Sequence, residues 1–263
     1  MPLFVKRGIE KISLDTRQLI SKRYRAVTRA VNREFWNLDN DVLNSLYVGS
    51  YGRGTAISTS DIDILITLPQ KEYERFDDLK GNGQSRLLQA VRNAILTTYP
   101  RSDIRADGQV VKIVFSDGIY FEILPSFKNF DGTFTYPDTN MGGNWKSTNP
   151  KAEQEAMSEK NRQSKGLFYD TCKHIRYVRD NYFKSYHLSG IVIDSFVYNA
   201  IGNWIWPEYS DFIFSKEGDF EKMLLGYYYS NVGKILLVPG SNMMIQLDDR
   251  EECLEKVLRK MAY

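Results

Sequence analysis

Apolar residues near the start of the chain recur at helical spacing. Ile20, Tyr24, Val27 and Val31 stand at i, i+4, i+7 and i+11 and predict one long helix from Ser13 to Trp36. Lys22, Arg25, Arg29 and Arg33 form a cationic stripe on its other face. The pattern then shortens: "SLYVGS" and "DIDILITL" read as strands, while Leu87, Leu88, Val91, Ile95 and Leu96 restore a helical period. "QVVKIVF" and "IYFEILPSF" are joined by "SDG" and predict an antiparallel hairpin, with Gly118 free to take a positive φ. From Tyr136 the run "PDTNMGGNWKSTNP" reads as a loop. Helical patterns follow: Phe168, Cys172, Ile175 and Tyr182, then "SGIVIDSFVYNAIG" opening on Ser189, then an acid-first, base-last "DDREECLEKVLRKMAY". This order predicts an α+β chain, with a mixed-sheet lobe and its long amino-terminal helix over residues 1–135 and a helical lobe over 136–263.

Composition narrows the class. Of 263 residues, 42% are hydrophobic and 26% charged, which excludes a disordered or fibrous chain. The net charge of +2 leaves any nucleic-acid surface to local clustering, so the arginine stripe is either a solvated face or a nucleic-acid groove. Cys172 and Cys253 have no partners at metal spacing and read as reduced core thiols. No apolar run is long enough for a leader peptide or a membrane span, so the expected compartment is the cytoplasm, without a membrane partner.

The chemistry concentrates in "GSYGRGTAISTSDIDILITLP", residues 49 to 69. On a strand, Asp61 and Asp63 share one face and Ile62, Ile64 and Ile66 the other. Two neighbouring carboxylates repel unless a cation lies between them, and magnesium, with manganese as a substitute, suits such hard oxygen donors. Glu122, opposite the row Ile119, Phe121 and Ile123, offers a third acid if the hairpin lies beside the "DIDIL" strand. Three acids could then hold two ions for an in-line phosphoryl displacement. Gly49 lets backbone approach a phosphate, and Ser50 adds a hydroxyl. The loop has no lysine and no G-x-G-x-x-G, so it is neither a Walker A loop nor a dinucleotide fingerprint. Each signal has a plainer reading: a lone D-x-D is commonly a surface pair, Gly-Ser turns are widespread, and Arg53 can brace its loop as readily as it can touch phosphate. Any one aromatic is more commonly core than a base-stacking platform, and His174 and His187 lack partners at ligand spacing. The ordered combination is what points to catalysis.

"VGSYGRGTAISTSDIDILI" followed by "FEILPSF" resembles the polymerase-β-like nucleotidyltransferase superfamily, whose pattern is hG[GS], about ten residues, Dh[DE]h and a third acid. "GSYGRGT" and "WKSTNP" resemble one branch of it, the CD-NTases, bacterial relatives of cyclic GMP-AMP synthase. The resemblance implies a bilobal fold, a mixed-sheet catalytic lobe and a helical lobe linked by the long amino-terminal helix. It implies that Asp61, Asp63 and Glu122 hold two magnesium ions and that Gly49 and Ser50 hold a triphosphate. Further phosphate contacts are implied for Arg176 and Ser189, with Lys173 as a substitute. The chain departs from the family with glutamate at 122 where aspartate is common, arginine at 176 for lysine, and aspartate at 194 for glutamate, there expected as a structural contact. The implied activity joins nucleoside triphosphates, GTP and ATP among them, into a cyclic dinucleotide such as cyclic di-GMP, with release of pyrophosphate. The implied setting is CBASS anti-phage defence, through a downstream cyclic-nucleotide effector. Two other readings stay open: a single-transfer enzyme acting on a small molecule, protein or RNA end, and a silent nucleotide- or RNA-binding scaffold.

Overall fold

The structure is a computed structural model that describes residues 1–9, 11–207, 216–247 and 252–263. Its contacts divide the chain into a sheet unit, Ser13–Gly52 with Ser60–Pro150, and a helical unit, Met1–Ile12 with Arg53–Thr59 and Lys151–Tyr263. The α+β class expected from the sequence holds.

In the sheet unit, helix α1 (Leu14–Val31) starts where the Ser13 hydroxyl accepts from the Thr16 amide at 3.1 Å. It buries Ile20, Val27 and Val31. The expected continuation to Trp36 is helical but widens into a π-turn over Asn32–Trp36, ended by Asn37 at φ 51°. Asn32 explains the change: it is fully buried, and its amide donates to the carbonyls of Asn40 and Leu43, each at 2.9 Å. The cationic stripe meets the same loop, with Arg25 at 3.8 Å and Arg29 at 3.3 Å from Asp41 and Arg33 at 3.0 Å from Asp39.

Strands β1 (Ser45–Tyr47), β2 (Ile62–Thr67), β3 (Asp103–Asp107), β4 (Val110–Val114) and β5 (Tyr120–Lys128) lie in the order β1-β2-β5-β4-β3. The β2–β5 pair is parallel, and the pairs β1–β2, β4–β5 and β3–β4 are antiparallel. A parallel pair needs a long crossover, supplied here by α3 (Gln70–Asp77), α4 (Gly83–Leu96), β3 and β4. Ile62, Ile64, Ile66, Phe121 and Ile123 are buried with Leu87, Leu88, Val91 and Ile95 of α4. Each is worth about 2 kcal/mol of burial, and sliding β2 by one residue would trade that gain for buried carboxylates.

Two expectations need correction. The run 137–150 is not one loop: β6 (Phe134–Asp138) pairs with β5, and β7 (Asn144–Thr148) pairs with β6 in register Tyr136↔Lys146. Ladder bonds to an existing strand outweigh the turn-rich composition, and the expected boundary at 135/136 falls inside β6. The second half is also not purely helical. Beside α5 (Pro150–Gln163), α6 (Leu167–Tyr182), α7 (Gly190–Ala200), α8 (Asp219–Asn231) and α9 (Glu252–Ala262) it holds an antiparallel hairpin, β8 (Ile235–Leu237) with β9 (Met244–Gln246). The short strands β3 and β8 and the polar α3 carry too few buried residues for periodicity to reveal them.

The core of the helical unit gathers Phe168, Cys172, Ile175, Ile193, Phe196 and Met261. Residues 248–251, the expected acidic start of the last helix, lie outside the described residues; from Glu252 the helix ends on Arg259 and Lys260 as expected. Cys172 and Cys253 are free and buried, and burial pushes both thiols up, away from reactivity. Among the described residues no helix is long and apolar enough to cross a membrane.

Candidate active site

The glycine loop is shaped by the acid beneath it. The Val48 amide donates to the Asp63 carbonyl at 2.9 Å, and the chain turns through Gly49 at φ 57° into a single helical turn, α2 (Gly49–Gly52). A Cβ at Gly49 would lie 1.7 Å from the Asp63 Oδ2. Glycine is therefore required twice, by the backbone angle and by the Asp63 carboxylate lying against it. Ser50 opens the same turn, partly exposed.

Sheet register brings the other acid alongside. Asp63 pairs directly with Glu122 across β2 and β5, and Glu122 pairs with Lys112 across β5 and β4. Asp61 is exposed just ahead of β2. Burial pushes the Glu122 carboxyl up; the Lys112 cation opposes this and the Asp61 charge adds to it. Lys112 Nζ is 3.6 Å from Glu122 Oε1 and 2.7 Å from Asp107 Oδ2. A cavity of about 380 Å³ opens here, lined by Asp61, Glu122, Lys112, Arg105, Asp103 and Tyr120.

The expected three-acid cluster is only partly assembled. Asp61, Asp63 and Glu122 occupy neighbouring positions, yet among the described residues no three Asp, Glu, His or Cys groups stand close enough to share an ion. Glu122 instead has Lys112 as its nearby counter-charge. The donor set nevertheless fits a hard divalent cation. It consists of carboxylate oxygens on a partly exposed face, and the Asp61–Glu122 repulsion is of the kind that a cation relieves.

Sequence reasoning missed Lys112 and Arg105. The signal for Lys112 was available: it is the one charged residue in "QVVKIVF", and alternation across a hairpin places it on the Glu122 side.

The other expected phosphate residues lie in the helical unit. Arg176 is 1% exposed and fully engaged, donating to Asp194 Oδ1 at 2.6 Å, Asp194 Oδ2 at 3.0 Å and the Gly190 carbonyl at 2.9 Å. These bonds make Arg176 a brace between α6 and α7, and a phosphate contact would have to displace them. Arg53 takes the bracing role as well, with Nε 2.9 Å from Asp194 and Nη1 3.4 Å from Glu153. Thr55 adds a hydroxyl to Asp194 at 2.9 Å. Asp194 is thus the structural contact the sequence led one to expect. Burial would raise its carboxyl, and the Arg176 and Arg53 charges hold it below the usual carboxylate range. Lys173 is partly exposed on α6, its ammonium 5.9 Å over the Tyr169 ring. Ser189 stands partly exposed at the start of α7 with no side-chain cap bond.

Residues 4–161 match the model of the Second Messenger Oligonucleotide or Dinucleotide Synthetase domain, SMODS. The chain belongs to the SMODS family. A probable cyclic nucleotide synthase of Bacillus cereus is 25% identical over 158 residues, which cover 55% of this chain and 47% of that protein, so the shared stretch spans about half the length of the relative. Among solved structures, the CdnE cyclic dinucleotide synthase of Elizabethkingia meningoseptica, with GTP and Apcpp, aligns over 95% of this chain and 97% of its own with TM-score 0.64 at 14% identity. CdnG, a CD-NTase of Bradyrhizobium diazoefficiens in complex with GTP, aligns over 95% and 84% with TM-score 0.64 at 13% identity. The SMODS chain therefore has the CD-NTase fold, and the polymerase-β-like resemblance holds at the level of architecture.

Proposed function

We propose that this SMODS chain is a nucleotidyltransferase that joins nucleoside triphosphates into a cyclic dinucleotide and releases pyrophosphate. One observation carries the reading: Asp63 lies against the Gly49 backbone and is in direct register with Glu122, which ties a phosphate-type loop to paired acids on one sheet face. The family match supports it.

Asp61, Asp63 and Glu122 would hold magnesium, with manganese as a substitute. Bound there, the metal would supply Lewis-acid stabilisation of the charge that develops on the phosphates. The chain's own groups do the rest. Gly49 leaves room for the triphosphate backbone contact and Ser50 offers a hydroxyl to it. Lys173 and Ser189 retain a proposed contact with substrate phosphates. Glu122 or Asp63 takes the proton of the attacking hydroxyl. The oxygen then bonds to the α-phosphorus as the bond to pyrophosphate breaks, and a second round closes the ring. A purine product, cyclic di-GMP included, signalling to an effector protein in cytoplasmic anti-phage defence, completes the proposal.

The test is to incubate the full chain with magnesium or manganese and the common ribonucleoside triphosphates, treat with phosphatase, and identify products by mass spectrometry. A resistant cyclic dinucleotide is expected, and Asp61→Ala or Asp63→Ala should abolish pyrophosphate release. A linear product that forms only with an added acceptor would replace this reading with single transfer. No pyrophosphate from the wild-type chain under any of these conditions would leave the binding scaffold.

A further inference from the structure

We infer that the helical unit carries a second ligand site, one built for a planar aromatic anion. A cavity of about 840 Å³ lies between the segment Met1–Lys11, the stretch Ile57–Thr59 and helix α6. That volume is in the range of sites for small organic molecules, roughly 300–1,000 Å³.

Its walls are held in place by hydrogen bonds. The Leu3 amide donates to the Lys260 carbonyl at 3.1 Å, the Val5 amide to Glu221 at 2.8 Å, and the Leu3 carbonyl accepts from His174 Nε2 at 2.8 Å. Thr59 is fixed by a 2.6 Å bond to Asp180. An ordered wall of this kind means that a ligand would meet a preformed surface, with little ordering cost on binding.

The lining gives the ligand's chemistry. The His174 and Tyr177 rings lie nearly parallel, 25° apart with centroids at 6.2 Å, and Tyr177 is 38% exposed, so an aromatic face is available for stacking. Phe4, Ile9 and Ile57 supply apolar wall, suited to a flat unsaturated body. Lys6 and Lys11 also line the cavity; both are exposed, and among the described residues neither stands in an ion pair. Among the described residues of the lining Glu217 is the one acid, against Lys6 and Lys11, so the charge these residues present favours an anion. An aromatic body carrying a sulfonate, carboxylate or phosphate satisfies all three features.

Anilinonaphthalene sulfonate is an aromatic anion whose fluorescence rises on binding, and it serves as the probe on the full chain. The expected result is saturable binding that Lys6→Glu with Lys11→Glu weakens about tenfold. Tyr177→Ala should weaken it by a similar factor; all three side chains are exposed, and circular dichroism confirms that the variants fold. Neutral phenylnaphthylamine should lose affinity with Tyr177→Ala but not with the charge reversals. Excess GTP with magnesium should leave the dye in place. Dye affinity unmoved by the charge reversals, or displacement of the dye by GTP, would overturn the proposal.

Discussion

Two groups of charged residues in this chain follow opposite rules. In the helical unit, Asp194 is fully buried and meets two counter-charges, Arg176 at 2.6 Å and Arg53 at 2.9 Å, and a hydrogen bond from the Thr55 hydroxyl at 2.9 Å. In the sheet unit, Asp61, Asp63 and Glu122 place like charges side by side on a partly exposed face, with one lysine 3.6 Å from Glu122. The first group is satisfied within the fold, whereas in the second the Asp61 charge works against the neighbouring Glu122 carboxylate on a face that a ligand can reach. The first group holds helices together; the second is the proposed seat of the chemistry.

The comparison is broken most forcefully at Asp194. Asp194→Ala takes the shared carboxylate from two buried guanidiniums, leaving Arg53 with Glu153 and Arg176 with carbonyl acceptors, and should cost about 3–5 kcal/mol, read by urea denaturation; a loss below about 1 kcal/mol would mean the cluster is not structural. Asp63→Asn should do the reverse, lowering nucleotidyl transfer about a thousandfold, roughly 4 kcal/mol, while moving unfolding by less than about 1 kcal/mol. A large stability loss with activity retained would invert the assignment. Gly49→Ala should cost about 2–3 kcal/mol and also depress activity, because its Cβ collides with the Asp63 carboxylate and its φ is left-handed. Gly108→Ala, also at positive φ but with open space around it, should cost less and spare activity.

Acid sharpens the contrast further. The Asp194 carboxyl is held low in the folded state, so its stabilisation is complete above the unfolded carboxylate value, about pH 4, and disappears as pH falls through the folded value. The stability gap between the wild type and Asp194→Asn should therefore close on acidification; a gap constant down to the acid-unfolding transition would contradict that sign. The smallest effect is expected at Lys112. Its cation lowers the Glu122 carboxyl against burial, so Lys112→Met should move the acid limb of the pH–rate profile to higher pH with little change in stability. An acid limb that stays put would separate Glu122 from the proton transfer.

Much of this was readable in the residues. Alternation placed Asp61 and Asp63 opposite Ile62, Ile64 and Ile66, and "SDG" announced the turn at Gly118, found at φ 84°. Both follow from local geometry, the period of a strand and the steric freedom of glycine. The β6–β7 hairpin was hidden because Asn, Gly and Pro mark turns in isolation, while β5 supplied the ladder that made them strands. The family resemblance implied a phosphate contact for Arg176 and a structural one for Asp194, but nothing in the chain pairs the two, eighteen residues and one helix apart.

The sequence by itself determined which residues could lie together on a face: acids opposite isoleucines, a glycine ahead of them, an apolar stripe for each long helix. These are properties of single elements, governed by backbone periods and by the burial of apolar area. Only the tertiary structure decided that Glu122 stands between Asp63 and Lys112 rather than one residue away, and that Arg176 and Arg53 converge on Asp194. Register between distant strands, and the pairing of charges across helices, depend on long-range contacts that exist only when the whole core closes around them.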